Sequence, residues 1–132
     1  MSTLDELLRS RFVDGGRDPA TGLDCYGLLM AAAKVIDGRC LPDFKVSCFA
    51  SAVISGKYRE ALKQAVKSEV PERGDVVALA IDPACPDTVQ HFGIMWDSRR
   101  FLHTLYKTGP LLTKINDPYW GNKIKGTYKW NP

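Results

Sequence analysis

An aspartate–cysteine pair at the head of a long apolar run constrains this chain more than any other stretch. Gly22-Leu23-Asp24-Cys25-Tyr26-Gly27 is followed by Leu28-Leu29-Met30-Ala31-Ala32-Ala33-Lys34-Val35-Ile36. The run has no proline, and its one glycine lies in the first turn. That pattern predicts a helix over residues 25–37. Asp24 caps it, since its carboxylate can accept hydrogen bonds from the unpaired first-turn amides. Pro19 and Gly22 turn the chain just upstream. Apolar side chains on nearly every face require burial, so this helix should sit at the centre of the fold. Cys25 is then expected at its exposed tip, a nucleophile at the floor of a groove, where the positive end of the helix dipole favours thiolate. On this reading Cys25 has a depressed pKa and is the most reactive of the four thiols. Cys40, Cys48 and Cys85 read as packing residues or incidental surface thiols.

With 132 residues the chain is long enough for one core and too short for two, so residues 1–132 form a single domain. A hydrophobic share of 45% and a charged share of 25% are those of an ordinary globular protein. The first residues lack a basic region followed by an apolar run, so no signal peptide is expected. No stretch is apolar for the roughly 20 residues of a membrane span. Four unevenly spaced cysteines argue against a disulfide framework. Net charge is +3, and the basic excess is concentrated after Tyr106, where five lysines face the single acid Asp117. No arginine-rich stripe accompanies them, so a nucleic-acid partner is not expected. Lysines guarding strand edges explain that excess, and an acidic partner would also suit it.

Helical signals fill the first half of the chain. Thr3 can cap a short helix over residues 4–11, residues 44–54 read as helical, and residues 58–66 carry a clear helical pattern. After Pro71-Glu72-Arg73-Gly74 the period changes. Strands are predicted over residues 75–81, 89–96, 101–106, 111–115 and 125–130. Helices first and an antiparallel sheet afterwards make an α+β fold, with the helices on one face of the sheet.

Both histidines fall in the sheet half, on the two arms of a predicted hairpin. Cysteine nucleophiles need a base for the thiol proton and a third polar group to orient that base. Cys25, His91 and His103 suit those roles in that order. Taken singly, His91 could be a core histidine and His103 a surface one. No paired spacing of cysteines or histidines supports zinc, so neither metal nor cofactor is expected. The hairpin also sets a condition. The two imidazoles share a sheet face only if Gly93 lies opposite His103 and Trp96 opposite Arg100, around Asp97-Ser98-Arg99. A two-residue turn would put them on opposite faces, and the triad requires their common face to meet Cys25.

The ordered set of motifs resembles the NlpC-type cysteine peptidases, papain-like enzymes that cut the peptide stems of bacterial cell-wall peptidoglycan. Phe12, Gly15-Gly16, Pro19, Gly22 and Asp24-Cys25 match the family's spacing around its cysteine. Leu41-Pro42, Gly74-Asp75-Val76-Val77, His91-Phe92-Gly93-Ile94 and Phe101-Leu102-His103 match the later elements in order. Tyr26-Gly27-Leu28 after the cysteine, and the ending Trp120 to Trp130, are similar to the phage-tail branch. The resemblance implies a papain-like fold with Cys25 as nucleophile, His91 as base and His103 as orienting group. It also implies Asp24 and Tyr26 as substrate-binding residues, although capping accounts for Asp24 equally well. Phe12 stands where the family has a tyrosine whose hydroxyl is a candidate oxyanion donor, and Asp14 replaces a tryptophan.

The expectation is a thiol peptidase acting on peptidoglycan stem peptides through a thioester. It would be made in the bacterial cytoplasm, carried on a virion tail with other tail proteins as partners, and act at the cell wall. The alternatives are a weak or inactive structural protein of a phage tail tip, and a related amidase or acyltransferase.

Overall fold

The structure, a computed structural model, describes residues 3–132. Thr3 caps α1 (Leu4–Leu8), accepting a hydrogen bond from the Glu6 amide. The two-residue strands β1 (Arg17–Asp18) and β2 (Gly22–Leu23) pair antiparallel and deliver the chain to α2 (Cys25–Asp37), the helix the apolar run predicts. Asp24 is its N-cap, and it ends at Gly38. The first turns are buried on all sides, through Cys25, Tyr26, Gly27, Leu28 and Leu29. Beyond them only one face is, with Ala32 and Ala33, while Lys34 is exposed.

The next helix departs from the expectation. A single helix, α3 (Ser51–Leu62), replaces the two predicted over residues 44–54 and 58–66. Residues 44–50 are irregular because other groups take their backbone and side chains. Asp14 accepts hydrogen bonds from the Ser47 hydroxyl and the Cys48 amide, and Phe49 packs against Phe12 and Tyr106. At the other end Val66 leaves the helical register to pair with Lys129, forming β3 (Val66–Lys67). Propensity yields to tertiary pairing at both ends.

The strands β4 (Val76–Leu79), β5 (His91–Met95), β6 (Arg100–Leu105), β7 (Gly109–Lys114) and β8 (Ile124–Lys129) complete a six-stranded sheet of order β3-β8-β4-β5-β6-β7. Every neighbouring pair is antiparallel. The α+β class, with an antiparallel sheet in the second half, is as the sequence predicts.

Alternation along the strands divides the core in two. Val76, Ala78, Phe92, Ile94 and Leu102 point to the helices, where Leu28, Leu29, Ala32, Ile54 and Tyr58 meet them. Val77, Leu79, Met95 and Phe101 point the other way, under Ile115, Trp120 and Ile124. The chain thus curls its own C-terminal segment over the second face of the sheet.

Gly27 shows how tightly the loop before β1 lies on α2. A Cβ at this position would run into the backbone carbonyl oxygen of Gly16 and lie 3.2 Å from a guanidinium nitrogen of Arg17. Backbone cannot swing aside as a flexible side chain can. Gly27→Ala should therefore destabilise the fold by about 1–3 kcal/mol, the usual cost of overpacking. An unchanged thermal midpoint would show that the approach is not as close as described.

Candidate functional site

Asp24 organises the start of α2. One carboxylate oxygen accepts from the Gly27 amide and from Arg17, each at 2.8 Å, and the other accepts from the Gly15 amide at 2.9 Å. Arg17 reaches Asp43 as well, at 3.2 Å. Cap, loop and helix are thereby joined through one carboxylate that is 1% exposed. Its oxygens are engaged within the protein, which leaves little of the carboxylate open for the substrate contact that the resemblance implies. Beside it, a cavity of about 300 Å³ opens between Asp14, Gly15, Arg17, Asp43 and Lys45.

Tyr26 is likewise not a groove residue. Its ring lies in the core, 4.9 Å from that of Phe44 and 5.9 Å from that of Tyr58, and its hydroxyl donates to the Pro42 carbonyl. Position N2 of a helix buried on all sides points inward, so the side chain packs instead of lining a binding surface.

Cys25 also departs from expectation. It is the first residue of α2, yet it is only 6% exposed, and its thiol is pushed up to about 11 instead of down. Burial is the largest cause, and the neighbouring Asp24 carboxylate is the second. The helix dipole does not prevail because Asp24 already answers the first-turn amide of Gly27 and sets a negative charge beside the sulfur. Three groups act the other way: the Tyr58 hydroxyl and the backbone amides of Phe92 and Tyr26. Cys40 and Cys85 are exposed, so reagents meet them before Cys25. Cys48 is half-buried, and burial and the Asp14 carboxylate raise its thiol too. Asp14, Asp24 and Cys48 bring ligand-type atoms within 4.8 Å of one another. The Asp24 oxygens are already engaged by Arg17 and two amides, which leaves that cluster a poor fit for a cation.

The histidines meet. Ile94 pairs with Leu102 and Met95 with Phe101, and the Trp96 amide donates to the Arg100 carbonyl, which is the register that puts both imidazoles on one face. Asp97 builds the turn by accepting from the amides of Arg99 and Arg100. His91 Nε2 lies 3.0 Å from His103 Nδ1, and His103 Nε2 lies 2.9 Å from Thr113 Oγ1. Trp120 stands edge-on to the His103 ring at 4.7 Å. Gly93 leaves room for this: a Cβ there would sit 3.3 Å from the His103 Cβ and 2.9 Å from the Phe101 ring.

The face the histidines share is not the one on which α2 packs. His91 pairs with Leu79, and His103 touches Phe101, both members of the second core layer. Cys25 meets the same strand at the peptide between His91 and Phe92, whose amide acts on the thiol. Among the described residues no hydrogen bond links Cys25 to either imidazole, and His91 Nδ1 has no partner. The thiol is thus placed at the backbone of β5 beside His91. A helix end reaches past the face on which its body lies, so the thiol meets the start of β5 at its backbone.

Two contributors went unnoticed in the sequence. Thr113 follows from strand alternation once β6 and β7 are paired, since Phe101 opposes it and His103 lies diagonally across. Tyr58 gave no local sign. It is one aromatic in a helical pattern, and only the packing of α3 brings its hydroxyl 3.8 Å from the Cys25 sulfur.

The sequence profile of the NlpC/P60 family matches residues 9–129. Among solved structures, the chain is similar to a protein described as similar to lipoprotein, NLP/P60 family, from Staphylococcus aureus subsp. aureus Mu50. The TM-score is 0.61 at 22% identity, covering 98% of this chain. The chain spans about 40% of that protein's length. At this identity the likeness is one of fold. No curated protein sequence matches significantly.

Burial holds both imidazoles well below the ordinary histidine range, and for His91 the neighbouring His103 adds to the effect. The unfolded chain therefore binds more protons than the folded one once pH falls below about 6.5, and stability is lost as pH drops through that value. The slope is up to about 1.4 kcal/mol per pH unit for each ring. Urea midpoints should fall between about pH 7 and pH 5, and the drop should shrink in His103→Gln. Parallel midpoints for parent and variant would refute the assignment.

Proposed function

The chain belongs to the NlpC/P60 family, and on that premise we propose that it hydrolyses amide bonds in the peptide stems of cell-wall peptidoglycan. Members of the family are in general cysteine peptidases and amidases of the cell wall. The observation that carries the reading is the histidine relay, His91 Nε2 to His103 Nδ1 to Thr113, anchored where the Cys25 thiol meets the His91–Phe92 peptide.

Tautomers follow from that relay. If His91 is to accept a proton at Nδ1, its Nε2 carries hydrogen and donates to His103 Nδ1. His103 then carries hydrogen at Nε2 and donates to Thr113. Each ring fixes the next, which is the orienting role proposed for His103. In the reaction His91 takes the thiol proton as Sγ attacks the scissile carbonyl carbon. The carbon–nitrogen bond breaks, the amine leaves with that proton, and a thioester remains. Water, losing a proton to His91, attacks the thioester. The carbon–sulfur bond breaks, and the thiol is restored. The Cys25 amide, at the head of α2, is the backbone donor closest in sequence to the developing oxyanion. Charged ends of a stem peptide would be met in the cavity beside Asp24 by Arg17, Asp43 and Lys45, rather than by Asp24 or Tyr26.

Carriage on a virion tail, with other tail proteins as partners, belongs to the same proposal. It is supported by Tyr26-Gly27-Leu28 after the cysteine and by the segment from Trp120 to Trp130. A second reading, a structural tail protein of little or no activity, is favoured by Phe12, which brings no hydroxyl, and by the raised thiol.

Incubation with purified peptidoglycan and mass analysis of released fragments separates these readings. Cleaved stem peptides are expected. Intact stems in every digest would favour the structural protein, and stems carrying a new acyl group the transferase. Cys25→Ala and His91→Ala should abolish release while both variants remain folded. His103→Ala should retain a residue of activity, because loss of a base costs about a hundredfold to ten-thousandfold and loss of an orienter less. Equal small losses in all three would overturn the assignment.

A further inference from the structure

Tyr58 lies beside the thiol, and neither the helix nor the histidine relay accounts for it. Its ring is wholly buried, stacked on Phe92 with centroids 4.1 Å apart and on Tyr26 at 5.9 Å. Those contacts need only a ring, and a phenylalanine would make them. The hydroxyl is the unexplained part. Buried tyrosine hydroxyls normally find a good hydrogen-bond partner. Among the described residues the sole partner of this one is the Cys25 sulfur, 3.8 Å away. A neutral thiol is a weak donor and a weak acceptor, whereas a thiolate accepts strongly. The hydroxyl is therefore poorly satisfied in the resting protein and well satisfied when the sulfur is charged. An interaction that strengthens only in the reactive state assists reaction, not binding.

We propose that Tyr58 is a positioning residue whose hydroxyl donates to the Cys25 thiolate and holds its charge in a pocket that otherwise opposes it. The role rests on Cys25 being the nucleophile of the proposed reaction. The groups around the sulfur come from each element packed on it. On its own helix these are the Asp24 carboxylate, against the thiolate, and the Tyr26 amide, in favour of it. Strand β5 supplies the Phe92 amide, and α3 supplies Tyr58. Arg17, on β1, is paired with Asp24, and Cys48 approaches from the loop before α3. Burial beside Cys25 and Asp24 keeps the Tyr58 hydroxyl protonated far above neutral pH, so it remains a donor throughout the working range.

Tyr58→Phe keeps both ring contacts and removes only the hydroxyl. Alkylation of Cys25 by iodoacetamide, followed across pH and resolved by peptide mapping, reads the thiolate directly. The variant should melt near the parent. Its alkylation profile should move about one pH unit upward, which is about a tenfold slower reaction at neutral pH. A fluorinated tyrosine at position 58, a stronger donor of the same shape, should move the profile downward. Profiles unchanged in both variants would overturn the proposal. The readout needs no substrate, so it stands apart from the peptidase reading. A shifted profile in a protein that releases no stem fragments would uphold Tyr58 and refute hydrolysis, and an unshifted profile in an active enzyme would do the reverse.

Discussion

The buried Asp24 carboxylate is the interaction on which the rest of this structure depends. It terminates α2 by accepting from Gly27, fastens the preceding loop through Gly15, and neutralises Arg17, which reaches on to Asp43. Removing Arg17 would leave a buried carboxylate held by two amides alone. Everything that defines the candidate nucleophile follows from this anchor. Cys25 is the next residue, and its direction is set once the cap is made.

The same anchor works against reactivity. A helix N-terminus offers a partial positive charge to whatever lies at its tip, and here the cap takes it. The sulfur is left desolvated beside a carboxylate, its thiol raised to about 11. Local donors have to supply what the dipole does not, and the Phe92 amide, the Tyr26 amide and the Tyr58 hydroxyl are those available. Stability at Asp24 and activation at Cys25 are thus opposed requirements on adjacent residues, a common tension at functional sites.

On the sheet, one register decides two things. Pairing Ile94 with Leu102 places Phe92 and Ile94 under the helices, and by alternation it sends His91 and His103 together to the other face. There Trp120 covers His103, and Thr113 takes its outer nitrogen. The C-terminal segment that closes over this face therefore completes the histidine relay as well as the second core layer.

Much of this was legible in the sequence because it is local or periodic. The Asp24 cap, the extent of α2, the placing of strands in the second half and the shared face of the histidines all follow from spacing along one or two segments. Failures occurred where distant groups competed. Residues 44–50 have helical character, but Asp14 and the rings of Phe12 and Tyr106 hold them out of a helix. At the tip of α2 burial outweighs the dipole. Tyr58 looks like any core aromatic until α3 is docked. Sequence alone determined which residues could form a thiol–imidazole site and which elements carry them. Tertiary structure alone decided how dry the thiol is, which amide of β5 it meets, and which hydroxyl faces it. Desolvation and approach depend on groups far apart in the chain, and no local pattern encodes them.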